Sequence, residues 1–124
     1  MAGKPRSIRI GKGGNWFCFP DFIDQELDRL FASLEAKRHL AGLDLDAFSR
    51  EAAWFLAEVN AIHPFREGNG RTQLAFLRLL CLNVGFAFNA SVLERDRVIR
   101  AMTDSFDGKL DALTHLVRDI ASPT

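Results

Sequence analysis

The sequence has little cysteine and no long hydrophobic run, and these absences exclude several classes of protein. Cys18 and Cys81 are its two cysteines. One falls in a predicted strand and the other in a predicted buried helix, so both are expected to be reduced core residues. No secretory leader is recognisable, which favours a cytoplasmic location, although delivery by a dedicated secretion system leaves no such trace. No Cys/His metal spacing and no internal repeat occur, which argues against a zinc site or a solenoid.

An excess of charge of one sign is also absent. Sixteen basic residues balance sixteen acidic residues, so the net charge gives no reason to expect general binding to nucleic acid or to an anionic membrane. Any anion-binding site must therefore be local. With 124 residues, of which 48% are hydrophobic and 26% charged, the chain has the size and composition of one globular domain, predicted to span 1–124.

The N-terminal residues predict a β-hairpin over about 6–19. Polar and apolar residues alternate over 6–10, turn-forming residues occupy 11–15, and an aromatic stretch follows over 16–19. A two-stranded hairpin is marginally stable alone, so it is expected to lie against the helical body or to accept a partner strand. Its unpaired edge is suited to an extended peptide.

The rest of the chain predicts five helices and therefore an all-α body. Helical periodicity predicts a first helix over 21–38. A second helix is predicted to be capped by Asp44 or Asp46 and to end at residue 62. The remaining three helices are predicted over 70–84, 91–106 and 109–121. The third helix is apolar nearly all round, which predicts a central position, and Gly85 is expected to stop it. Ser91 and Glu94 predict a capping box for the fourth helix. The residues over 86–90 are predicted to be a short apolar linker.

The connection between the second and third helices holds most of the chemistry in the sequence. Residues 63–71 read His-Pro-Phe-Arg-Glu-Gly-Asn-Gly-Arg. Pro64 disfavours helical backbone at the preceding residue, so His63 is expected at a helix end that faces the loop. Gly68 and Gly70 permit positive φ and close approach of a ligand, just before a helix N-terminus. The pattern predicts a phosphate-binding cradle.

Each polar side chain of this loop has a structural and a functional interpretation. His63 either bonds to a nearby carbonyl or acts as a general base, because an unperturbed histidine is largely neutral at cytoplasmic pH. Glu67 is either a solvated carboxylate or a ligand for Mg²⁺, which binds few protein carboxylates beside phosphates. Asn69 either caps the next helix or donates to an anion. Arg71 opposes the helix dipole by about 0.3 to 1 kcal/mol, which a bound phosphate would offset, and Phe65 is predicted to anchor the loop in the core.

The motif resembles the signature of the Fic family, H-x-F-x-[DE]-G-N-G-R-x-x-R, at seven of the nine positions in 63–71. The matching residues are His63, Phe65, Glu67, Gly68, Asn69, Gly70 and Arg71. Residues 9–14 look like the family's flap hairpin, 56–62 like the helix that enters the motif, and 105–108 like its late helix junction. The resemblance covers nearly the whole chain and implies a Fic-like bundle of about five helices with a β-hairpin flap.

The resemblance also implies an activity, namely transfer of AMP from ATP to a Tyr, Thr or Ser hydroxyl of a target protein. His63 would be the general base, and Glu67 would hold a Mg²⁺ ion that bridges phosphates. The implied nucleotide-binding residues are Lys12, Gly13, Arg66, Gly68, Asn69, Gly70 and Arg71. The implied docking residues of the flap, which would hold the target segment by strand addition, are Ile10, Gly11, Gly14 and Asn15.

One departure from the family signature concerns the nucleotide. The second signature arginine falls on Leu74, and loss of one charge-assisted phosphate contact would weaken ATP binding by about 1.5 to 3 kcal/mol. Arg78, one turn later, is an alternative contact, although a side chain there more simply faces solvent. Two alternatives therefore stay open: a transferase that uses another nucleotide-diphosphate donor, or a catalytically weak module that binds peptides.

A second departure concerns control of the activity. Many members of the family carry an inhibitory helix with the pattern [ST]-x-x-x-E-[GN], or borrow one from a small antitoxin, and no such string occurs here. A separate antitoxin-like inhibitor is therefore an expected kind of partner. The helix that precedes the hairpin in the family has no counterpart in this sequence, which predicts a truncated or minimal form.

Overall fold

The computed structural model of this chain describes residues 11–12, 15–16, 22–62 and 69–123, with side chains over 22–62 and 71–123. Two short strands, β1 (Gly11–Lys12) and β2 (Asn15–Trp16), pair antiparallel. The predicted antiparallel hairpin is confirmed for these four residues, in which Lys12 lies opposite Asn15. The predicted turn over 11–15 was too long, because Gly11, Lys12 and Asn15 pair within the strands. The rest of its predicted range lies outside the described residues.

The described residues form five α-helices, as the periodicity predicted. They are α1 (Ile23–Ala36), α2 (Leu45–Ile62), α3 (Asn69–Val84), α4 (Arg95–Phe106) and α5 (Asp111–Ile120). Asp44 caps α2, since its carboxylate accepts a 2.8 Å hydrogen bond from the backbone N–H of Ala47. Gly85 follows α3 at φ +83°, a left-handed conformation in which glycine ends a helix at little cost. Among the described residues, no helix is both long and apolar enough to span a membrane.

The centre of the body is α2 and not α3. Ten of the 18 residues of α2 are buried, and this helix packs against each of the other four. In α3, Leu77 and Leu80 face the core, whereas Leu79 and Leu82 are 61% and 67% exposed. The prediction of a central α3 was wrong because a helix that is apolar on all sides still buries only the face that its neighbours cover.

A second small sheet forms beside α2 and α5. β3 (Phe86–Phe88) pairs antiparallel with β4 (Ala121–Pro123), which follows α5 directly. Phe86 packs edge-to-face on Phe48 of α2, with ring centroids 5.1 Å apart. The prediction of a linker over 86–90 was therefore wrong, and α5 ends one residue before its predicted end at 121. Strands of three residues are too short to show periodicity, and their pairing depends on contact between distant parts of the chain.

The start of α4 differs from the predicted capping box. Ser91 lies upstream of the helix in a 3₁₀ turn (Ala90–Val92), where its hydroxyl donates to Asn89 Oδ1 at 2.7 Å. Glu94 occupies the N-cap position of α4, and no side chain of the described residues caps that helix by a hydrogen bond. The prediction was wrong because serine also forms local turn bonds, which compete with helix capping.

Candidate active site

The predicted site lies at the connection from α2 to α3. α2 ends at Ile62, which is buried, and α3 begins at Asn69. The predicted residues that fall outside the described part of the chain are Ile10, Gly13, Gly14, His63, Phe65, Arg66, Glu67 and Gly68. Their roles stay predictions. The described residues on either side of them are the end of α2 and the start of α3.

Three predicted nucleotide-binding residues, Asn69, Gly70 and Arg71, form the first turn of α3. The first N–H groups of a helix have no acceptor within the helix, and together with the helix dipole they attract an anion. The Arg71 side chain is exposed in this turn, where its charge opposes the dipole unless an anion binds. The helix thus begins one residue earlier than predicted, at a point suited to a phosphate-binding cradle.

The predicted flap residues Gly11, Lys12 and Asn15 lie in the β1–β2 pair. A two-stranded ribbon leaves main-chain N–H and C=O groups on its outer edges, and such edges pair with extended peptides. Docking of a target segment by strand addition stays a prediction for these strands.

A buried polar network, which the sequence reasoning missed, lies between the end of α2 and the start of α3. The Asn60 side-chain amide donates to the carbonyl oxygen of Met102 at 2.9 Å and to Ser105 Oγ at 3.3 Å. Gln73 Nε2 donates to Asn60 Oδ1 at 3.2 Å, and Ser105 Oγ donates to the Met102 carbonyl oxygen at 2.8 Å. The network joins the last turn of α2, the beginning of α3 and the end of α4. The signal that could have revealed it is the presence of Asn60 and Gln73 among apolar residues of their helices.

Leu74 occupies the position of the second signature arginine. Leu74 is half-buried on α3, and Arg78, four residues later, is exposed. Residues at this spacing lie on the same side of a helix. The expectation that Arg78 faces solvent is confirmed, and its contribution to phosphate binding stays a prediction.

A cleft of about 370 Å³ opens between α1 and α2, near the end of α2. Leu30 and Ile62 supply part of its apolar lining, and Glu26, Arg29 and Glu58 supply charged groups. Arg29 Nη2 lies 3.4 Å from Glu26 Oε1, so this ion pair borders the cleft. Because Ile62 directly precedes His63 in the chain, the cleft is next to the helix end that carries the predicted base.

The site is predicted to hold a Mg²⁺ ion. The residues that the structure describes include no group of three or more His, Cys, Asp or Glu side chains arranged to hold one. Glu67, the predicted ligand, lies outside them. A single carboxylate beside phosphate oxygens and water nevertheless suits Mg²⁺, which keeps several non-protein ligands in nucleotide sites. A Mg²⁺ site here would therefore depend on the bound nucleotide.

The fold and the motif define a helical domain with a predicted phosphate-binding loop between its second and third helices. The chain belongs to the Fic/DOC family, whose model matches residues 1–81. It is 53% identical over 118 residues to "Probable protein adenylyltransferase y4lH" of Sinorhizobium fredii, covering 94% of this chain and 62% of that protein. It is 36% identical over 117 residues to protein adenylyltransferase VbhT of Bartonella schoenbuchensis, covering 94% of this chain and 24% of that protein.

Solved structures support the same family assignment. The BepC protein of Bartonella tribocorum, with bound AMPPNP, superposes with a TM-score of 0.87 at 28% identity, covering 96% of this chain and 58% of that chain. The N-terminal Fic domain of a Bep effector protein of Bartonella quintana, with bound ADP, superposes with a TM-score of 0.87 at 29% identity, covering 94% and 56%. The predicted Fic-like helical bundle is thus confirmed. The chain spans less than two thirds of the length of each of these four relatives.

Proposed function

We propose that this chain is the catalytic domain of a protein adenylyltransferase, which transfers AMP from ATP to a Tyr, Thr or Ser hydroxyl of a target protein. The observation that carries the proposal is the 53% identity to y4lH over 118 residues. The motif from His63 to Arg71 supports it, because it contains a base, a carboxylate and an anion-binding helix start in one short segment.

In this proposal His63 takes the proton of the target hydroxyl as the hydroxyl oxygen attacks the α-phosphorus of ATP. A new bond forms between the target oxygen and the α-phosphorus. The bond from the α-phosphorus to the oxygen that bridges the α- and β-phosphates breaks, and pyrophosphate leaves. The N-terminal N–H groups of α3 and the Arg71 guanidinium stabilise the negative charge on the phosphates. Most of the acceleration comes from holding the attacking oxygen in line with the phosphorus.

Glu67 is the proposed ligand for Mg²⁺. The bound ion would neutralise part of the charge on the triphosphate and on the leaving pyrophosphate. This chain's own part is to present one carboxylate beside the phosphate cradle, with Gly68 leaving room for the close approach of nucleotide and ion.

The proposed nucleotide is ATP, supported by the AMPPNP bound to the similar BepC structure. The proposed contacts are Lys12, Gly13, Arg66, Gly68, Asn69, Gly70 and Arg71. Of these, Asn69, Gly70 and Arg71 share the first turn of α3, which supports a common role in phosphate binding.

The proposed partner is a protein whose target segment pairs with the flap through Ile10, Gly11, Gly14 and Asn15. The β1–β2 pairing supports this docking mode, because an added strand would set the register of the target hydroxyl through main-chain hydrogen bonds. A separate antitoxin-like inhibitor is a further proposed partner. We also propose that the protein acts in cytoplasm, either where it is made or after delivery; the similar BepC is a VirB-translocated effector.

The proposal is tested by incubating the purified chain with ATP labelled at the α-phosphate, Mg²⁺ and a cell lysate. We expect label on a protein of the lysate or on the enzyme itself, and loss of that label in His63→Ala. His115→Ala is the matched control, since His115 is exposed on α5 away from the motif in sequence. Equal labelling by wild type and His63→Ala would show that His63 is not the base.

A second candidate donor follows from Leu74. Because this half-buried leucine replaces the arginine expected to meet the terminal phosphate, a nucleotide diphosphate linked to another group is the alternative donor. In calorimetry with Mg²⁺, ATP should bind with higher affinity than nucleotide diphosphates. The affinity for ATP should be weaker in Glu67→Ala. A clear preference for diphosphates would favour the alternative donor, and absence of any Mg²⁺-dependent binding would favour a peptide-binding module.

A further inference from the structure

Three buried polar side chains join the helix ends that hold the active-site loop. Asn60, Gln73 and Ser105 are 8%, 1% and 6% exposed, and we call them the polar clamp. Gln73 donates to Asn60 at 3.2 Å, and Asn60 donates to Ser105 at 3.3 Å and to the Met102 carbonyl oxygen at 2.9 Å. A single side chain of α2 is therefore bonded to both α3 and α4.

The clamp lies close to both ends of the loop along the chain. Asn60 precedes His63 by three residues, and Gln73 follows Arg71 by two, each within about one helical turn of its end of the loop. The hydrogen bond between Gln73 and Asn60 thus connects the end of α2, which the proposed base His63 follows in sequence, directly to the start of α3, which carries the proposed phosphate site.

The polar clamp is not the arrangement expected if these positions served only the stability of the fold. Burying amide and hydroxyl groups costs free energy, and apolar side chains of the same size would fill this space without that cost. Gln73 Oε1 is buried and accepts no hydrogen bond from the described residues. One polar atom of the network therefore lacks a partner among them. Hydrogen bonds are directional, whereas apolar packing is not, because a hydrogen bond favours a narrow range of distance and angle.

We propose that Asn60, Gln73 and Ser105 are positioning residues for the transfer reaction. They set the distance between the end of α2, which His63 follows in sequence, and the start of α3. In this way they help a hydroxyl and the α-phosphorus to meet in line. This inference rests on the proposed adenylyltransferase function. Asn60 and Gln73 act as one unit, with Ser105 anchoring that unit to α4.

The experiment compares Gln73→Met, Asn60→Leu and the double variant, which replace the amides by apolar side chains of similar size. We expect kcat for AMP transfer to fall by about 10- to 100-fold in each single variant, since small displacements of reacting groups have effects of this size. The KM for ATP should change much less than kcat, because the three described phosphate-binding residues, Asn69, Gly70 and Arg71, all belong to the first turn of α3. The double variant should lose little more than a single one.

Ser49→Ala is the matched control. Ser49 is buried on the same helix, and its hydroxyl also has no hydrogen-bond partner in the structure of the described residues, so removing it should leave kcat unchanged. If the clamp variants lower the midpoint of thermal unfolding but keep the wild-type kcat at a temperature where they are folded, the clamp is structural and the inference is wrong.

Amide hydrogen exchange measured by mass spectrometry separates this inference from the proposed function. In Gln73→Met we expect faster exchange in the peptide spanning 57–76 and unchanged exchange in α5. A wild-type protein without transfer activity would overturn the proposed function, while the exchange pattern would still decide whether the clamp orders the loop. Unchanged exchange over 57–76, or an equal rise in all helices, would overturn the inference.

Discussion

At the scale of single residues, burial decides the chemistry of Cys81. Its side chain is fully buried in α3 and forms no disulfide, as the apolar sequence around it predicted. Burial disfavours the thiolate and raises the thiol pKa from 9.0 to about 11. Well below pH 9 the thiol is almost entirely neutral in both the folded and the unfolded chain. As the pH rises above 9 the unfolded chain loses this proton first, so alkaline pH destabilises the folded protein through this group.

This pKa predicts that Cys81 resists alkylation in the folded protein. In a Cys18→Ser variant at pH 8, about one Cys81 in a thousand is a thiolate in the folded protein, against about one in ten in the unfolded chain. We therefore expect iodoacetamide to modify Cys81 at least about 100-fold more slowly before urea is added than after. Mass spectrometry of the intact protein measures both rates. Similar rates at pH 8 would contradict a buried, neutral thiol.

At the scale of elements, the connection between α1 and α2 is the most strained described segment. Arg38, His39 and Leu40 adopt φ values of +55°, +52° and +66° in succession, a left-handed turn in which each side chain is disfavoured by roughly 1–2 kcal/mol. Leu40 is 1% exposed, so its burial offsets part of this cost. The Asn83 side-chain amide donates to the His39 carbonyl oxygen at 3.0 Å, which ties the turn to α3.

The turn predicts that His39→Gly stabilises the protein. Glycine adopts positive φ without steric cost, which stabilises the folded protein. Its greater conformational freedom in the unfolded chain offsets part of this gain, so we expect a net stabilisation of about 0.5 to 1 kcal/mol. The His39 imidazole is exposed, and the backbone carbonyl oxygen that Asn83 contacts is retained. Thermal unfolding followed by circular dichroism should show a midpoint a few degrees higher.

Glu35→Gly is the control for this prediction. Glu35 is exposed near the end of α1, where glycine should instead destabilise the helix by about 1 kcal/mol. A fall of the midpoint in both variants would show that the left-handed turn is not strained.

At the scale of the whole molecule, α2 is the element on which the others depend. It packs against all four other helices, and the buried residues of the described chain form one continuous core. Trp54 of α2 is partly exposed, with Lys37 Nζ 4.5 Å from its ring centroid, so its fluorescence reports on the contact between α1 and α2. A core shared in this way predicts that the helices unfold together.

We therefore expect a single unfolding transition in urea. In a Trp16→Phe variant, Trp54 fluorescence and helical circular dichroism should give the same midpoint and the same slope. Phe48→Ala should lower both midpoints together, by about 3 to 5 kcal/mol in free energy of unfolding, because Phe48 is fully buried. Two separated transitions, or a shift in one signal alone, would show that part of the bundle unfolds independently.

The sequence alone determined the features that depend on local chemistry. Periodicity predicted all five helices, Asp44 was one of two predicted caps, and Gly85 was predicted to stop α3, because each depends on neighbouring residues. The motif from 63–71 was likewise recognisable, because a base, a carboxylate and two glycines occur within nine residues.

Only the tertiary structure decided which of these local features meet. The central position of α2, the pairing of β3 with β4 and the polar clamp all join residues far apart in sequence; Asn60 and Ser105 are 45 positions apart. Apolar periodicity shows that a face will be buried but not which neighbour covers it, and three-residue strands carry no period at all. A buried amide becomes informative only when its partners are known, because hydrogen bonds between helices depend on packing.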